Sequence, residues 1–204
     1  MKQEFLNINE ICRRTTALGP GDRYVIWTQG CVKRCSGCLT KDGLLFQDKI
    51  LIRPQELAAD ILKVEGIEGV TISGGEPFLQ AKNLSILIDL IKAKKDLSFI
   101  AYSGYTYDEL KKMNNYTNLL LQKIDVLIDG EYVEELNDDK GLRGSSNQNV
   151  IFFSEKYSER IDEFNNCIRE IDVRQKMLIG IKPKGFDAFI AGMMNSRTQN
   201  RIQK

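Results

Sequence analysis

The sequence predicts an α/β fold, built as a partial, open parallel barrel of the (β/α)6 type. Short β-rich runs alternate with helical patterns along the chain, and strands parted by helices of that length imply right-handed βαβ units and a mainly parallel sheet buried on both faces. Five or six such units in 204 residues are too few for a closed eight-stranded barrel. No internal repeat or linker interrupts the pattern, so residues 1–204 are expected to form one domain with a polar tail at 196–204.

The first β-rich run is 24–28 (YVIWT), followed by a Gly-, Lys- and Cys-rich loop at 29–44. Pro54 suits a first helical turn, with Leu57, Ile61 and Val64 on one stripe. The run 69–73 (GVTIS) precedes a helix with an apolar stripe of Leu84, Leu87, Ile88 and Ile91. Residues 97–102 (LSFIAY) lead to a short helix near Thr106, where Asp108 and Glu109 suit the positive end of the dipole. Two further strands are expected at 124–129 and 149–153. A helix is expected around 155–164, a terminal hairpin from 168–174 and 176–182, and a closing helix at 185–195.

Composition narrows the chemistry. Twenty-nine basic and 28 acidic residues leave a net charge of +1, so no global field draws nucleic acid or an anionic membrane. The segment MKQEFLNINE lacks an apolar signal core and the apolar runs are short, so neither a secretory signal nor a bilayer span is expected, and the expected location is cytoplasmic. Histidine is absent. Imidazole bases, Ser-His-Asp and Cys-His nucleophiles and His-containing zinc sites are thereby excluded.

Three of the five cysteines, Cys31, Cys35 and Cys38, are spaced C-x3-C-x2-C on the loop after the 24–28 strand. Clustered thiolates in a cytosolic chain read as metal ligands before disulfides. Three thiolates on a four-iron cluster leave one iron open to a small molecule. A four-ligand site completed by Cys12 or Cys167, a zinc knuckle and free thiols are the alternatives, although Cys12 and Cys167 suit small buried hydrophobes better. Gly30 and Gly37 can take positive φ and let the loop curl around a compact cluster. Lys33 and Arg34 either offset the charge of the thiolates or form a solvated face.

At the end of the 69–73 strand stands TISGGEPFLQ. Paired glycines, Gly74 and Gly75, weaken a strand and suit close backbone approach by a ligand, while Glu76 offers an acceptor for a cation. Together with the cysteine loop this is a strong pattern, because active sites of parallel barrels gather at the C-terminal strand ends.

With those motifs in hand, the sequence resembles the radical SAM superfamily, whose core is the partial barrel described above. The resemblance implies a [4Fe–4S] cluster on Cys31, Cys35 and Cys38, and S-adenosylmethionine (SAM) bound by Ser73, Gly74, Gly75 and Glu76, with the Gly-Gly-Glu motif receiving the amino group of its methionine. One electron from the cluster would cleave SAM to methionine and a 5′-deoxyadenosyl radical that abstracts hydrogen from a substrate. Many members carry an aromatic residue before the third cysteine, where this chain has Gly37. CSGCLTKD, DVLIDGEYVEEL and LRGSSNQNVIFF resemble instead the glycyl-radical-enzyme activases, the group of the anaerobic ribonucleotide reductase and pyruvate formate-lyase activating proteins.

The resemblance implies a large glycyl radical enzyme as partner, a one-electron donor such as flavodoxin, and abstraction of hydrogen from a backbone glycine. A radical SAM enzyme acting on a small molecule or peptide is the alternative within the class, and a closed-cluster or zinc module the alternative outside it. Ser103 and Tyr105 either reach SAM or are turn residues. Asp129 either receives SAM or the glycyl loop, or caps a turn. Arg143, Ser145, Ser146, Asn147 and Gln148 suit contacts to SAM or partner, with Asn147 near the cofactor. The acidic run 131–139 reads as a solvated loop.

Overall fold

A computed structural model of the chain describes residues 4–165. The expected terminal hairpin, the helix at 185–195, the polar tail and Cys167 lie outside the described residues. Among the described residues, seven strands form one sheet: β1 (Leu6–Thr15), β2 (Arg23–Thr28), β3 (Ile50–Ile52), β4 (Gly69–Gly74), β5 (Ser98–Tyr102), β6 (Val126–Asp129) and β7 (Asn149–Phe152), in the order β3-β1-β2-β4-β5-β6-β7. In the same residues five α-helices accompany them: α1 (Pro54–Lys63), α2 (Ala81–Lys92), α3 (Tyr107–Lys111), α4 (Asn115–Leu121) and α5 (Ile161–Asn165).

The α/β class is as expected. The centre of the sheet, β2-β4-β5-β6, is parallel, because a helix on each connection carries the chain back before the next strand begins. β1 and β3 pair antiparallel at one edge. At the other edge β7 also runs antiparallel. Only a 3-10 turn, Glu134–Leu136, lies between β6 and β7, so the chain returns beside β6 without a crossover. The sequence reading missed β1, β3 and α4, and it counted 149–153 as one more member of a mainly parallel series.

Local signals explain the helices. Pro54 opens α1, and the Glu56 carboxylate accepts from the Arg53 N–H at 3.0 Å. Thr106 caps α3: its hydroxyl accepts from Glu109 N at 3.3 Å, and Glu109 Oε2 accepts from Thr106 N at 2.7 Å, a reciprocal capping box. Leu84, Leu87, Ile88 and Ile91 of α2 are all fully buried, each contributing about 2 kcal/mol by removal from water.

Alternation along the strands sorts two faces. Tyr24, Ile26, Val70, Ile72, Phe99, Ala101 and Leu127 pack under α1, α2 and α4. Their neighbours point the other way. Val25 and Trp27 gather Ala17 and Leu18, while Ile100, Val126 and Ile128 gather Leu142, Tyr157 and Phe164. A cavity opens on this second face. No helix among the described residues is long and apolar enough to cross a membrane.

Candidate functional site

The cavity, about 220 Å³, lies at the C-terminal ends of the parallel strands and is walled by Cys31, Cys35, Cys38, Ser73, Gly74, Gly75, Ser103 and Gly104, with Trp27, Tyr102 and Leu142 closing its apolar side. The three predicted cysteines and most of the Gly-Gly-Glu segment therefore meet in one place, although 35 positions separate Cys38 from Ser73 in the chain.

The cysteine loop is folded by its own backbone. Gly30 N donates to Gly43 O at 2.7 Å, Cys31 N to Leu44 O at 3.2 Å and Cys38 N to Cys35 O at 3.2 Å. Gln29 Nε2 spans the loop, donating to the carbonyls of Asp42 and Leu45 at 3.1 and 2.5 Å. Gly30 and Gly37 take φ of 93° and 70°, as the sequence reading expected of a loop curled around a cluster. Among the described residues no three Cys, Asp or Glu side chains converge on a single metal ion. What the three thiols share is a cavity wall.

Burial pushes the Cys31 thiol up from its ordinary value, against backbone N–H groups of Lys33 and Arg34 that pull it down. Burial does the same at Cys35, opposed by the backbone N–H of Tyr132. Metal coordination would supply the charge compensation that burial withholds, since the thiolate is the ligating form.

The paired glycines serve a closer neighbour than a ligand. Gly74 has φ 104°, and a Cβ on it would meet the backbone of Thr28; one on Gly75 would meet the carbonyls of Gly30 and Gly43. Gly75 N donates to Thr28 O at 2.7 Å and Glu76 N to Gly30 O at 2.8 Å. The close approach expected of a ligand is made by the cysteine loop itself, which only a chain without side chains admits.

Glu76 is fully buried, just behind the cavity wall. Its carboxylate accepts from Ser103 Oγ at 3.0 Å, Gly104 N at 2.8 Å and Phe78 N at 3.1 Å. Burial pushes its pKa up to about 7, and the three donors only partly counter that. A cationic ligand in the cavity would favour the ionised form of this carboxyl against its burial.

Other predicted residues are placed differently. Ser103 is buried in the wall, whereas Tyr105 is half-buried beside it. The Asp129 carboxylate, 2% exposed, accepts from Tyr107 N at 2.6 Å and from Asn149 Nδ2 at 2.9 Å, and the residue stands outside the cavity wall. It ties the start of α3 to β7. Asn147 is exposed, its Nδ2 donating to Glu131 O at 2.8 Å, and it too lies outside the wall.

Its neighbours likewise hold the loop. Gln148 Oε1 accepts from Gly144 N at 2.8 Å and Ser145 N at 3.2 Å, and its Nε2 donates to Gly130 O at 2.7 Å. Ser145 Oγ accepts from Val133 N at 3.1 Å. Arg143 remains. It lines the cavity, and its buried Nε has no partner among the described residues.

The acidic run is more than a solvated loop: Tyr132, Asn137 and Asp139 line the cavity, and Glu134 packs over Gly37. Tyr132 is the aromatic member of that run, the one signal that could have marked it as a wall.

The residues present fit a [4Fe–4S] cluster with a cationic nucleoside beside it. Three soft donors line one wall, a buried carboxyl stands behind, and an unpartnered guanidinium nitrogen lies in the opposite loop.

Comparison with known proteins agrees with that class of site. The chain belongs to the 4Fe-4S single cluster domain family, whose model matches residues 17–151. The anaerobic ribonucleoside-triphosphate reductase-activating protein of Enterobacteria phage T4 is 32% identical over 143 residues, covering 65% of this chain and 85% of the relative. Its namesake from Pasteurella multocida is 33% identical over 149 residues, covering 67% and 91%. A pyruvate formate-lyase-activating enzyme of Staphylococcus epidermidis is 29% identical over 153 residues, covering 71% of this chain and 60% of the relative. These are the activases that the cysteine loop and the segments around 125–153 resemble.

Proposed function

We propose that this chain is a radical SAM activase that takes a hydrogen from a backbone glycine of a glycyl radical enzyme of the anaerobic ribonucleotide reductase type. The observation that carries the proposal is the meeting of Cys31, Cys35 and Cys38 with Ser73, Gly74, Gly75 and Ser103 around one cavity, with Glu76 buried behind it. The names of the relatives support the choice of partner.

In this reading Cys31, Cys35 and Cys38 hold the cluster and leave one iron open. Ser73, Gly74 and Gly75 shape the wall on which SAM lies, and Glu76, steadied by Ser103 and Gly104, receives its amino group. Trp27, Tyr102 and Leu142 keep water from that wall. Asp129 and Asn147 act from behind, fixing the loops that frame the opening. When bound, the cluster and SAM supply the electron transfer and the 5′-deoxyadenosyl radical. The sheet is read as a partial barrel closed on its open side by the partner, within a single domain, in the cytoplasm, with flavodoxin as electron donor.

Anaerobic reconstitution tests the assignment. About four irons and four sulfides per chain are expected, with release of 5′-deoxyadenosine when dithionite and SAM are added, and Cys35→Ser abolishing both. A glycyl radical signal in EPR should follow on adding the reductase. Zinc as the only metal retained would overturn the reading in favour of a zinc module, and a cluster that leaves SAM intact would make the chain an electron carrier. Deoxyadenosine released without a glycyl radical would point to a small-molecule or peptide substrate.

A further inference from the structure

Lys33 and Arg34 both stand between the first two cysteines, and the sequence gives them equal claim to the neighbouring charge. The structure separates them. Arg34 adopts φ 53° and is exposed. The Lys33 side chain is only 19% exposed, its Nζ lies 4.3 Å from the centroid of the Tyr105 ring and 4.0 Å from Glu109 Oε2, and it lines the same cavity as the three cysteines. Its stem packs on Gly104, where a Cβ would come within 2.9 Å of Lys33 Cγ. The ammonium is thus tethered to the turn that also donates to Glu76 through Ser103 Oγ and Gly104 N.

A cation held this way is screened less than one on a solvated loop. Three thiolates leave the oxidised cluster anionic, and the electron it accepts makes it more so, with no proton required. A fixed positive charge therefore favours the reduced form. The charged groups facing Lys33 are Glu109, 52% exposed and so better screened by water, and Glu76, whose burial keeps it partly protonated.

We propose that Lys33, held by Tyr105 and Gly104, sets the reduction potential of the cluster, raising it toward the reach of the electron donor. This rests on the reading of Cys31, Cys35 and Cys38 as cluster ligands. In this role Lys33 acts on the cluster through its charge.

Dithionite titration of the reconstituted full chain, followed by EPR, reads the effect without any turnover. At an effective dielectric of about 20, a unit charge about 10 Å away changes an equilibrium about tenfold. Lys33→Gln should therefore make reduction about tenfold less favourable, about 59 mV for one electron. Lys33→Arg should stay within about threefold of wild type, and Arg34→Gln should leave the potential unmoved. Glu109→Gln, which keeps the capping box because Gln also serves at that position, should shift the potential the opposite way and by less.

Equal midpoints for Lys33→Gln and wild type, both carrying a full cluster, would overturn the inference. So would shifts of the same sign for Lys33→Gln and Glu109→Gln. Should Lys33→Gln fail to take up iron, Glu109→Gln decides alone: an unchanged or lowered midpoint overturns the proposal. A wild-type chain with no four-iron cluster removes both the cluster reading and this inference, whereas a cluster that titrates but leaves SAM intact overturns only the function.

Discussion

Ser103 Oγ donates to the Glu76 carboxylate at 3.0 Å, tying the segment after β5 to the segment after β4 at the wall of the cavity. The bond favours the ionised carboxyl, the form that pairs with an ammonium group. Ser103→Ala should therefore weaken SAM binding by about ten- to 150-fold, on the order of 1.5–3 kcal/mol for a hydrogen bond to a charged group, with iron content unchanged. Titration calorimetry on the reconstituted protein checks this, and loss of iron in the variant would mean that Ser103 holds the cluster loop instead.

Glu76 also gives the chain a pH signature. Its pKa rises from an ordinary 4.5 to about 7 because burial disfavours the charged form. Between those values the folded chain binds more protons than the unfolded one, so this group's contribution is fully present below about pH 4.5 and is lost as pH rises through about 7. The loss is on the order of 3 kcal/mol. Denaturant unfolding of the cofactor-free chain at pH 5 and pH 8 should show the drop, and Glu76→Gln should flatten it. An equal drop in the variant would assign the slope to other groups.

Gly75 meets backbone that has little freedom to yield. A Cβ there would press on the carbonyls of Gly30 and Gly43 and would part the Glu76 N–H from Gly30 O, a 2.8 Å bond. Gly75→Ala should cost about 3 kcal/mol and abolish cluster uptake, because the Gly30–Cys31 corner must move. Gly43→Ala is the contrast. Its Cβ would meet Thr40 Cγ2 at 3.2 Å and Gly75 N at 3.3 Å, and about 1 kcal/mol or less is expected, with the cluster retained. Thermal melts and iron assays compare the two.

The parallel centre was legible because its strands are compact apolar runs separated from one another by helical segments. β1 was not. Its pairing with β2 shifts register between Ile8 and Glu10 and again between Cys12 and Thr15, and each shift breaks the alternation that would mark a strand. β3 has only three residues, Ile50–Ile52, too few for a period. The direction of β7 follows from the missing helix after β6, a fact about spacing that the apolar pattern of 149–153 does not carry.

In the site, the meeting of Cys31, Cys35 and Cys38 with the Gly74–Glu76 segment was legible from residue types and spacing. The placement of Asp129 and Asn147 outside the wall was not, since a carboxylate that lines a cavity and one that accepts from a helix start look alike in sequence. Cys12 illustrates the difference: it is a free thiol on β1, with Sγ 3.5 Å from Arg14 O, and stands outside the cavity wall. Cys12→Ser should keep full iron content, while Cys31→Ser and Cys38→Ser should each lose the cluster. Retention of a four-iron spectrum in either of the latter would require another ligand.

Arg23 stands at the opposite end of β2 from the cysteine loop, about 16 Å away at strand spacing. It is fully buried, and burial pushes its pKa below the ordinary arginine value. Among the described residues no carboxylate is bonded to it. Neutral oxygens accept its N–H bonds: Thr71 Oγ1 and Tyr157 OH at 2.7 Å, Val70 O at 2.9 Å and Ser98 Oγ at 3.1 Å. Tyr157, packed edge-on against Phe164 at 5.1 Å, thereby pins the 3-10 turn Glu155–Arg160 under the sheet. Tyr157→Phe should cost about 1 kcal/mol by removing the shortest Nη1 bond, while Ser98 Oγ at 3.1 Å and Pro20 O at 3.4 Å still accept from Nη1, and each kcal/mol is about 2–4 °C in Tm in a chain of this size. Arg23→Met should cost more, yet the double variant should cost less than the two losses added, because either change alone removes the shared bond. Strict additivity in that cycle would show that Tyr157 stabilises by packing alone, and loss of iron in Tyr157→Phe would show that the base of the sheet is coupled to the cluster loop.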